Sequence, residues 1–406
     1  MTLLVLIVSL NSLGRPETIG AEHGFIFSCS PWASDNAKHL RQELGADWAN
    51  LDFWWTEIEY VQGRFNYGSS EGQINYVKSS YPGTKIIGSI MGIVPPYPGW
   101  WWSPMKDPPD WSFYRSAVTN STAFREYKSQ VYEFVFTFVS HHKDDVEIWV
   151  TTRELSYLDR FQLYRNNIAE KQSLGRIDQA VALHKVIARA IRDADPDAFV
   201  VLGAAAPRGV DTAAYVDTRT LVESCLLSNV TFDAVGFEVA PWTGLDAEEF
   251  DEYMKNMSIF NKRLFPFLVG YPSSYKGDST YWSSRTFDED AQAEWLRAIL
   301  LSCFNNKNLL GFGYSSFQDS SAQEDEGWGL VTYEGTPKKA YQTYKDLISK
   351  YRTESEIQTT SEKMLILNQD TGSLFLTNEA NLPSLSIPQH RFLRLGQISW
   401  IKSLDL

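Results

Sequence analysis

The chain has 406 residues, with 37 basic and 50 acidic side chains and a formal net charge of −13. A hydrophobic fraction of 43% supplies a sizeable core and excludes wholesale disorder, and the acidic balance argues against nucleic acid or an anionic membrane as the main partner. Three cysteines (Cys29, Cys225, Cys303) are too few for a disulfide scaffold, and the six histidines form no HxxxH or HxH cluster, so no metal or other cofactor is implied.

Residues 3–10 are apolar but too short to span a bilayer. The first basic residue is Arg15, so the basic start of a secretory signal is missing, and the Val, Ile and Leu content favours a strand over a degenerate signal peptide. N-x-S/T triplets at Asn120, Asn229 and Asn256 tilt the expected location slightly toward secretion. From residue 20 onward, short apolar runs alternate with longer amphipathic stretches. The runs at 24–29, 47–53, 85–90, 146–150, 199–204, 232–239, 265–269 and 309–315 read as strands. The intervening segments near 33–44, 70–80, 123–141, 176–193, 211–226, 247–263, 288–305 and 338–351 read as helices. In the fourth of these, Ile177, Ala180, Val181, His184, Ile187 and Ala188 share one face, which makes His184 a packed residue rather than a ligand. Eight strands alternating with eight helices predict an α/β fold, a (β/α)8 TIM barrel over 20–352, preceded by a strand or extension at 1–19. A charged linker at 352–362 then leads into strand-like segments, predicting a small C-terminal β appendage over 353–406.

Aromatic residues make up 14% of the chain, including the clusters Phe53-Trp54-Trp55 and Trp100-Trp101-Trp102 in loop-like surroundings. Flat rings exposed in a cleft suit the C–H faces of sugars as well as they suit loop packing. In a barrel of this kind, functional residues sit at the carboxyl ends of strands. That position filter selects Trp54, Trp55 and Glu57 after the second strand and Arg153 and Glu154 after the fourth. It adds Glu238 and Trp242 from the sixth, Gly270 and Tyr271 from the seventh, and Tyr314, Asp319 and Trp328 from the eighth.

The stretch from Trp55 to Phe65 reads W-x-x-I-E-x-x-x-G-x-F, and residues 311–341 carry G-L-x-x-x-x-G-x-P-K-x-A at Gly329 to Ala340. In this wording and order the chain resembles retaining glycoside hydrolases of clan A over nearly all of residues 24–345. The resemblance implies a β-linked oligo- or polysaccharide substrate and places Glu154 as the acid/base. It makes Trp54, Trp55, Glu57, Arg153, Trp242, Tyr271, Tyr314, Asp319 and Trp328 substrate contacts. Three positions depart from the pattern, one of them at the eighth strand, where Tyr314 or Ser315 stands in place of a Trp that commonly floors the family's catalytic subsite. Arg153 stands where the family has an Asn that holds a sugar hydroxyl, and an Arg there favours the ionised carboxylate, the wrong direction for a general acid. The strand-7 nucleophile is also replaced: one alignment puts Leu268 at that place, the other Gly270. Gly270 is preferred, because 265–269 is then a complete strand. A glycine there leaves room for a small anion in place of the carboxylate, and Glu238 is the fallback nucleophile. The expected function is therefore a glycoside hydrolase impaired in its retaining-type mechanism, whether by natural loss or by substitution. The alternative is a non-catalytic carbohydrate-binding barrel.

Overall fold

The computed structural model describes residues 4–7, 25–59, 62–93, 121–153, 155, 177–204, 217–241, 246–275, 285–304, 306, 308–320, 327–360, 363–368, 373–378 and 393–394. The chain forms two compact units, Pro16–Asp346 and a smaller one made of Met1–Arg15 with Leu347–Leu406. The first strand, β1 (Leu4–Ile7), belongs to the smaller unit.

The large unit is a closed barrel of eight parallel strands. In chain order these are β2 (Ile26–Cys29), β3 (Trp48–Trp54), β4 (Lys85–Met91), β5 (Ile148–Val150), β6 (Phe199–Ala204), β7 (Ala234–Val239), β8 (Arg263–Val269) and β9 (Gly311–Tyr314). Each strand pairs with the next, and β9 returns to β2 through Ile26 opposite Gly311 and Cys29 opposite Tyr314. The helices between them are α1 (Lys38–Glu43), α2 (Trp55–Ile58), α3 (Gly68–Ser80), α4 (Ser121–His142), α5 (Ile177–Ala194), α6 (Thr218–Leu227), α7 (Ala247–Met257) and α8 (Glu289–Phe304). The expected (β/α)8 rhythm is present in full.

Strand alternation divides the core into two shells. Ile26, Trp48, Ile87, Ile148, Val150, Val201, Ala234, Phe265 and Phe267 form one fully buried cluster. The opposite faces meet the helices: Phe53 and Trp149 pack against Phe138 of α4, and Phe237 against Phe250 of α7. His184 is fully buried on the apolar face of α5, as its spacing requires. Burial pushes its imidazole down to about 3.

Helix ends follow local chemistry. Asp246 and Glu249 form a reciprocal capping box that starts α7. The helix expected over 247–263 stops earlier, because a 3₁₀ turn at Ser258–Phe260 ends in Asn261, at φ 50, and β8 starts two residues on. At the other extreme, α9 (Lys339–Thr360) runs through most of the stretch expected to be a linker. Residues 352–360 contain no Gly or Pro to stop it, and charge alone does not break a helix.

In the smaller unit, β1 lies between β10 (Lys363–Asn368) and β12 (Leu393–Arg394), and β11 (Ser373–Asn378) pairs with the far edge of β10. β1 runs antiparallel to β10, with Leu4 opposite Leu367, and parallel to β12, with Leu6 opposite Leu393. The amino-terminal apolar run is thus a strand of a four-stranded sheet.

Candidate active site at the barrel mouth

Along β3, Trp48, Asn50 and Asp52 recur at the period of two that faces one side of a strand. Trp48 belongs to the lumen cluster. One step up, Asn50 Nδ2 donates to Ser28 Oγ and to Phe267 O at 3.2 and 2.9 Å. One further step up, Asp52 reaches the carboxyl end of the barrel. There Arg153 Nη1 and Nη2 donate to Asp52 Oδ1 and Oδ2 at 2.9 and 3.0 Å, while Arg153 Nε pairs with Glu238 Oε1 at 2.5 Å. One guanidinium therefore links two carboxylates from different strands. The two-pronged contact with Asp52 fixes the plane of the fork and so the direction of Nε toward Glu238. Side-chain exposure is 37% for Asp52, 15% for Arg153 and 10% for Glu238, so the cluster opens to solvent on the Asp52 side.

The backbone around the cluster is held closely. Thr151 Oγ1 accepts from Gly203 N at 2.8 Å and pairs with His184 Nδ1 at 3.0 Å. A Cβ on Gly203 would lie 2.3 Å from Thr151 O, so this approach of β6 to the segment carrying Arg153 requires glycine. On β7, the register with β8 shifts between Phe237 and Glu238, leaving Phe267 as the extra residue. Such a bulge re-aims the side chains beyond it. It brings Leu268 beside Glu238, and parallel partners share a face.

Gly270 is differently placed. Its N–H donates to Val239 O at 3.0 Å. A Cβ there would stand 2.6 Å from Ser315 O and 3.3 Å from the Trp328 ring. The carboxylate-sized gap expected at this glycine is not present: backbone and an indole occupy the space.

Several expected contacts prove to be packing residues. Tyr314 is fully buried, because its strand position faces the helices rather than the lumen. Its hydroxyl donates toward Trp328 O and Tyr271 O at 3.1 and 3.3 Å and accepts from Gln292 Nε2 at 3.1 Å. Burial raises its phenol well above the usual range. Tyr271 is 4% exposed, with its hydroxyl donating to Thr286 O at 2.7 Å. Trp55 is equally closed, stacked on Phe134 at 4.8 Å and donating to Glu59 Oε2 at 2.7 Å. These three rings have no open face for a ligand. Glu57 Oε2 accepts from Ser69 Oγ at 2.9 Å, a tie to the start of α3. Asp319 accepts from Gly329 N through Oδ1 at 2.6 Å and pairs with Lys338 Nζ through Oδ2 at 2.7 Å, so both its oxygens serve the loop after β9. Trp54 and Trp328 are half-buried, at the ends of β3 and of that loop. Glu154, Trp242 and the Trp100–Trp102 cluster lie outside the described residues.

Asp52 was missed by sequence reasoning, which looked past the strand ends rather than along the lumen-facing positions. Its signal was an acid at the third lumen-facing position of a largely apolar strand. Among the described residues, no group of three or more His, Cys, Asp and Glu is arranged to hold a metal ion. Nor is any described helix long and apolar enough to cross a membrane.

No family model and no curated protein matches the chain. Solved structures do match, and they define a class by fold alone, the closed (β/α)8 barrel. Xylanase 10B from Thermotoga petrophila, solved with xylobiose, is similar over 84% of this chain and 98% of its own, at 17% identity and TM-score 0.55. A thermostable mutant of the xylanase Xyn10A from Cellvibrio japonicus is similar over 80% and 96%, at 15% identity and TM-score 0.57. The exo-β-1,4-mannosidase Op5Man5 from an Opitutaceae bacterium is similar over 86% of this chain and 63% of its own, at 16% identity and TM-score 0.56. At these identities the likeness establishes the fold.

Proposed function

We propose that this barrel takes a β-linked glycan at its carboxyl end and is a retaining-type glycoside hydrolase with impaired turnover. The observation that carries the reading is the Asp52–Arg153–Glu238 cluster, a charged, partly open group at the mouth of a barrel shared with xylanases and a mannosidase. Two carboxylates held by one guanidinium offer several acceptors and donors to sugar hydroxyls.

In the double-displacement scheme, Glu154 protonates the glycosidic oxygen as the bond to the anomeric carbon breaks. A carboxylate on the other side captures that carbon, and Glu154 then draws a proton from the water that releases the sugar. Neither Leu268 nor Gly270 offers a carboxylate, so we assign that part to Glu238, which lies beside Leu268 and is already engaged by Arg153. Capturing the anomeric carbon would mean giving up that ion pair, which is the physical reason to expect slow turnover. A second reading, a glycan-binding barrel without catalysis, draws support from the same ion pair and from the filled space at Gly270.

Release of the aryl group from a panel of activated β-xylosides, β-mannosides and β-glucosides, with and without azide or formate, tests the proposal. The expected result is slow release, insensitive to the anions and abolished in E238Q. Release that climbs with added anion would overturn the assignment of Glu238, and absence of release with retained sugar binding would establish the second reading.

A further inference from the structure

Trp32 and Tyr333 are the most open of the large aromatic side chains among the described residues, at 47% and 50% exposure. Trp32 follows β2 and Tyr333 lies beyond β9, so both belong to segments leaving the carboxyl ends of two paired strands. The Trp32 ring and the backbone at Tyr333 are both held by their surroundings. Trp32 stacks on Tyr76 with centroids 5.2 Å apart and an angle of 26°, which covers one indole face. The Tyr76 hydroxyl donates to Ala33 O at 2.8 Å and accepts from Ala33 N at 3.3 Å, and Tyr81 fastens Pro31 O at 2.8 Å. Gln318 joins the two segments: its Oε1 accepts from Ser34 N at 2.7 Å, and its Nε2 donates to Ser34 Oγ at 2.8 Å and to Tyr333 O at 2.6 Å. Asn36 Nδ2 adds a bond to Glu334 O at 2.5 Å.

An indole anchored on one face and open on the other, in a loop fixed by many hydrogen bonds, is preorganised for stacking and loses little freedom when a ligand arrives. The side chains that tie the two segments together are two amides and a hydroxyl (Ser34, Asn36, Gln318), with the Asp35–Lys38 ion pair beside them, polar groups of the kind that hydrogen-bond hydroxylated ligands. Two separate rings fall short of the continuous apolar patch that marks a protein interface. Both segments leave the carboxyl end of the barrel, the end that also carries the Asp52–Arg153–Glu238 cluster.

We propose that Trp32 and Tyr333 form an outer stacking platform for a β-linked glycan chain, an accessory site separate from the Asp52–Arg153–Glu238 cluster. The proposal rests on the glycan-handling reading of the barrel. Its test is retention of the full chain in native gels containing soluble β-1,4-xylan or β-1,4-mannan, alongside titration with short xylo- and manno-oligosaccharides. W32A and Y333A should each weaken polysaccharide retention by about tenfold, the scale of a lost aromatic contact. W32F should retain much of it. Oligosaccharide binding that depends on Arg153 should stay unchanged in all three. Y333A should melt with the parent, and W32A, which loses the stack on Tyr76, within about 3 °C of it. Polysaccharide retention unchanged in W32A and Y333A would overturn the platform and leave the mouth reading intact. Retention lost in these variants, but indifferent to R153M and without oligosaccharide binding, would support the platform and remove the mouth reading. No retention by the unsubstituted chain on either polymer would overturn the platform.

Discussion

Lys338 offers the sharpest quantitative test of how the mouth is built. Its side chain is 3% exposed, and its ammonium group donates to Asp319 Oδ2 at 2.7 Å, Ser273 Oγ at 3.0 Å and Gly327 O at 3.2 Å. An ammonium group has three protons and here finds three acceptors, drawn from the segments after β8 and β9. Replacing Lys338 by Met keeps much of the stem's packing but leaves Asp319, itself 12% exposed, as a buried carboxylate without its counter-ion. Removing one partner of such a pair costs about 3–5 kcal/mol. At about 2 °C per kcal/mol for a unit of this size, the midpoint of thermal unfolding should drop by about 6–10 °C. The companion variant K338M/D319N should recover part of that loss, because the stranded charge is gone, with a coupling of about 2 kcal/mol in the double-mutant cycle. Urea unfolding followed by tryptophan fluorescence measures all four species. A K338M loss below about 1 kcal/mol, or strictly additive effects, would refute the claim that this ion pair staples the two segments together.

Gly270→Ala should destabilise the barrel by about 1–3 kcal/mol, because its methyl group would meet Ser315 O; L268E, beside Glu238, should instead be the variant that speeds aryl glycoside release. Faster release from G270E than from L268E would reverse that assignment of the two positions. Stability should also fall as pH drops from about 6.5 toward 4. Burial holds His142 down at about 4 and His184 at about 3, so below about 6.5 the unfolded chain takes up protons that the folded one refuses. The two should together cost up to about 2.7 kcal/mol per pH unit, and H184Q should halve that slope. A denaturation midpoint that is flat between pH 6.5 and 5, or an unchanged slope in H184Q, would count against it.

The barrel was legible because its signals are strong and local: short continuous apolar runs, as strands buried on both faces require, alternating with helices that carry one apolar stripe. The site was less so. Tyr314 and Tyr271 have the residue type of a sugar platform and the right place in the chain, yet they face the helices, and which way a strand-end residue points depends on register. Register in turn depends on the bulge at Phe267, which no local pattern announces. The Arg153–Asp52 pair joins positions 101 residues apart, and its forked geometry exists only once β3 and β5 share a barrel. The Arg at 153 could be read as a departure from a pattern, while its destination could not. The stretch at 352–360 looked like a linker by its charges, though nothing in it interrupts the helix begun at Lys339.

The placement of β1 between β10 and β12 sets a timetable for synthesis. Leu4–Ile7 leave the ribosome about 360 residues ahead of Lys363–Asn368 and about 390 ahead of Leu393–Arg394, the strands they pair with. At about 5–20 residues per second, four apolar residues wait on the order of 20–70 s without their sheet. During that interval they form a short, open β-prone segment, which chaperones or a neighbouring nascent chain could capture. The barrel itself cannot close until β9 reaches β2, so both units wait on late-made strands. Any truncation that removes β10 and β12 would leave β1 permanently unpaired.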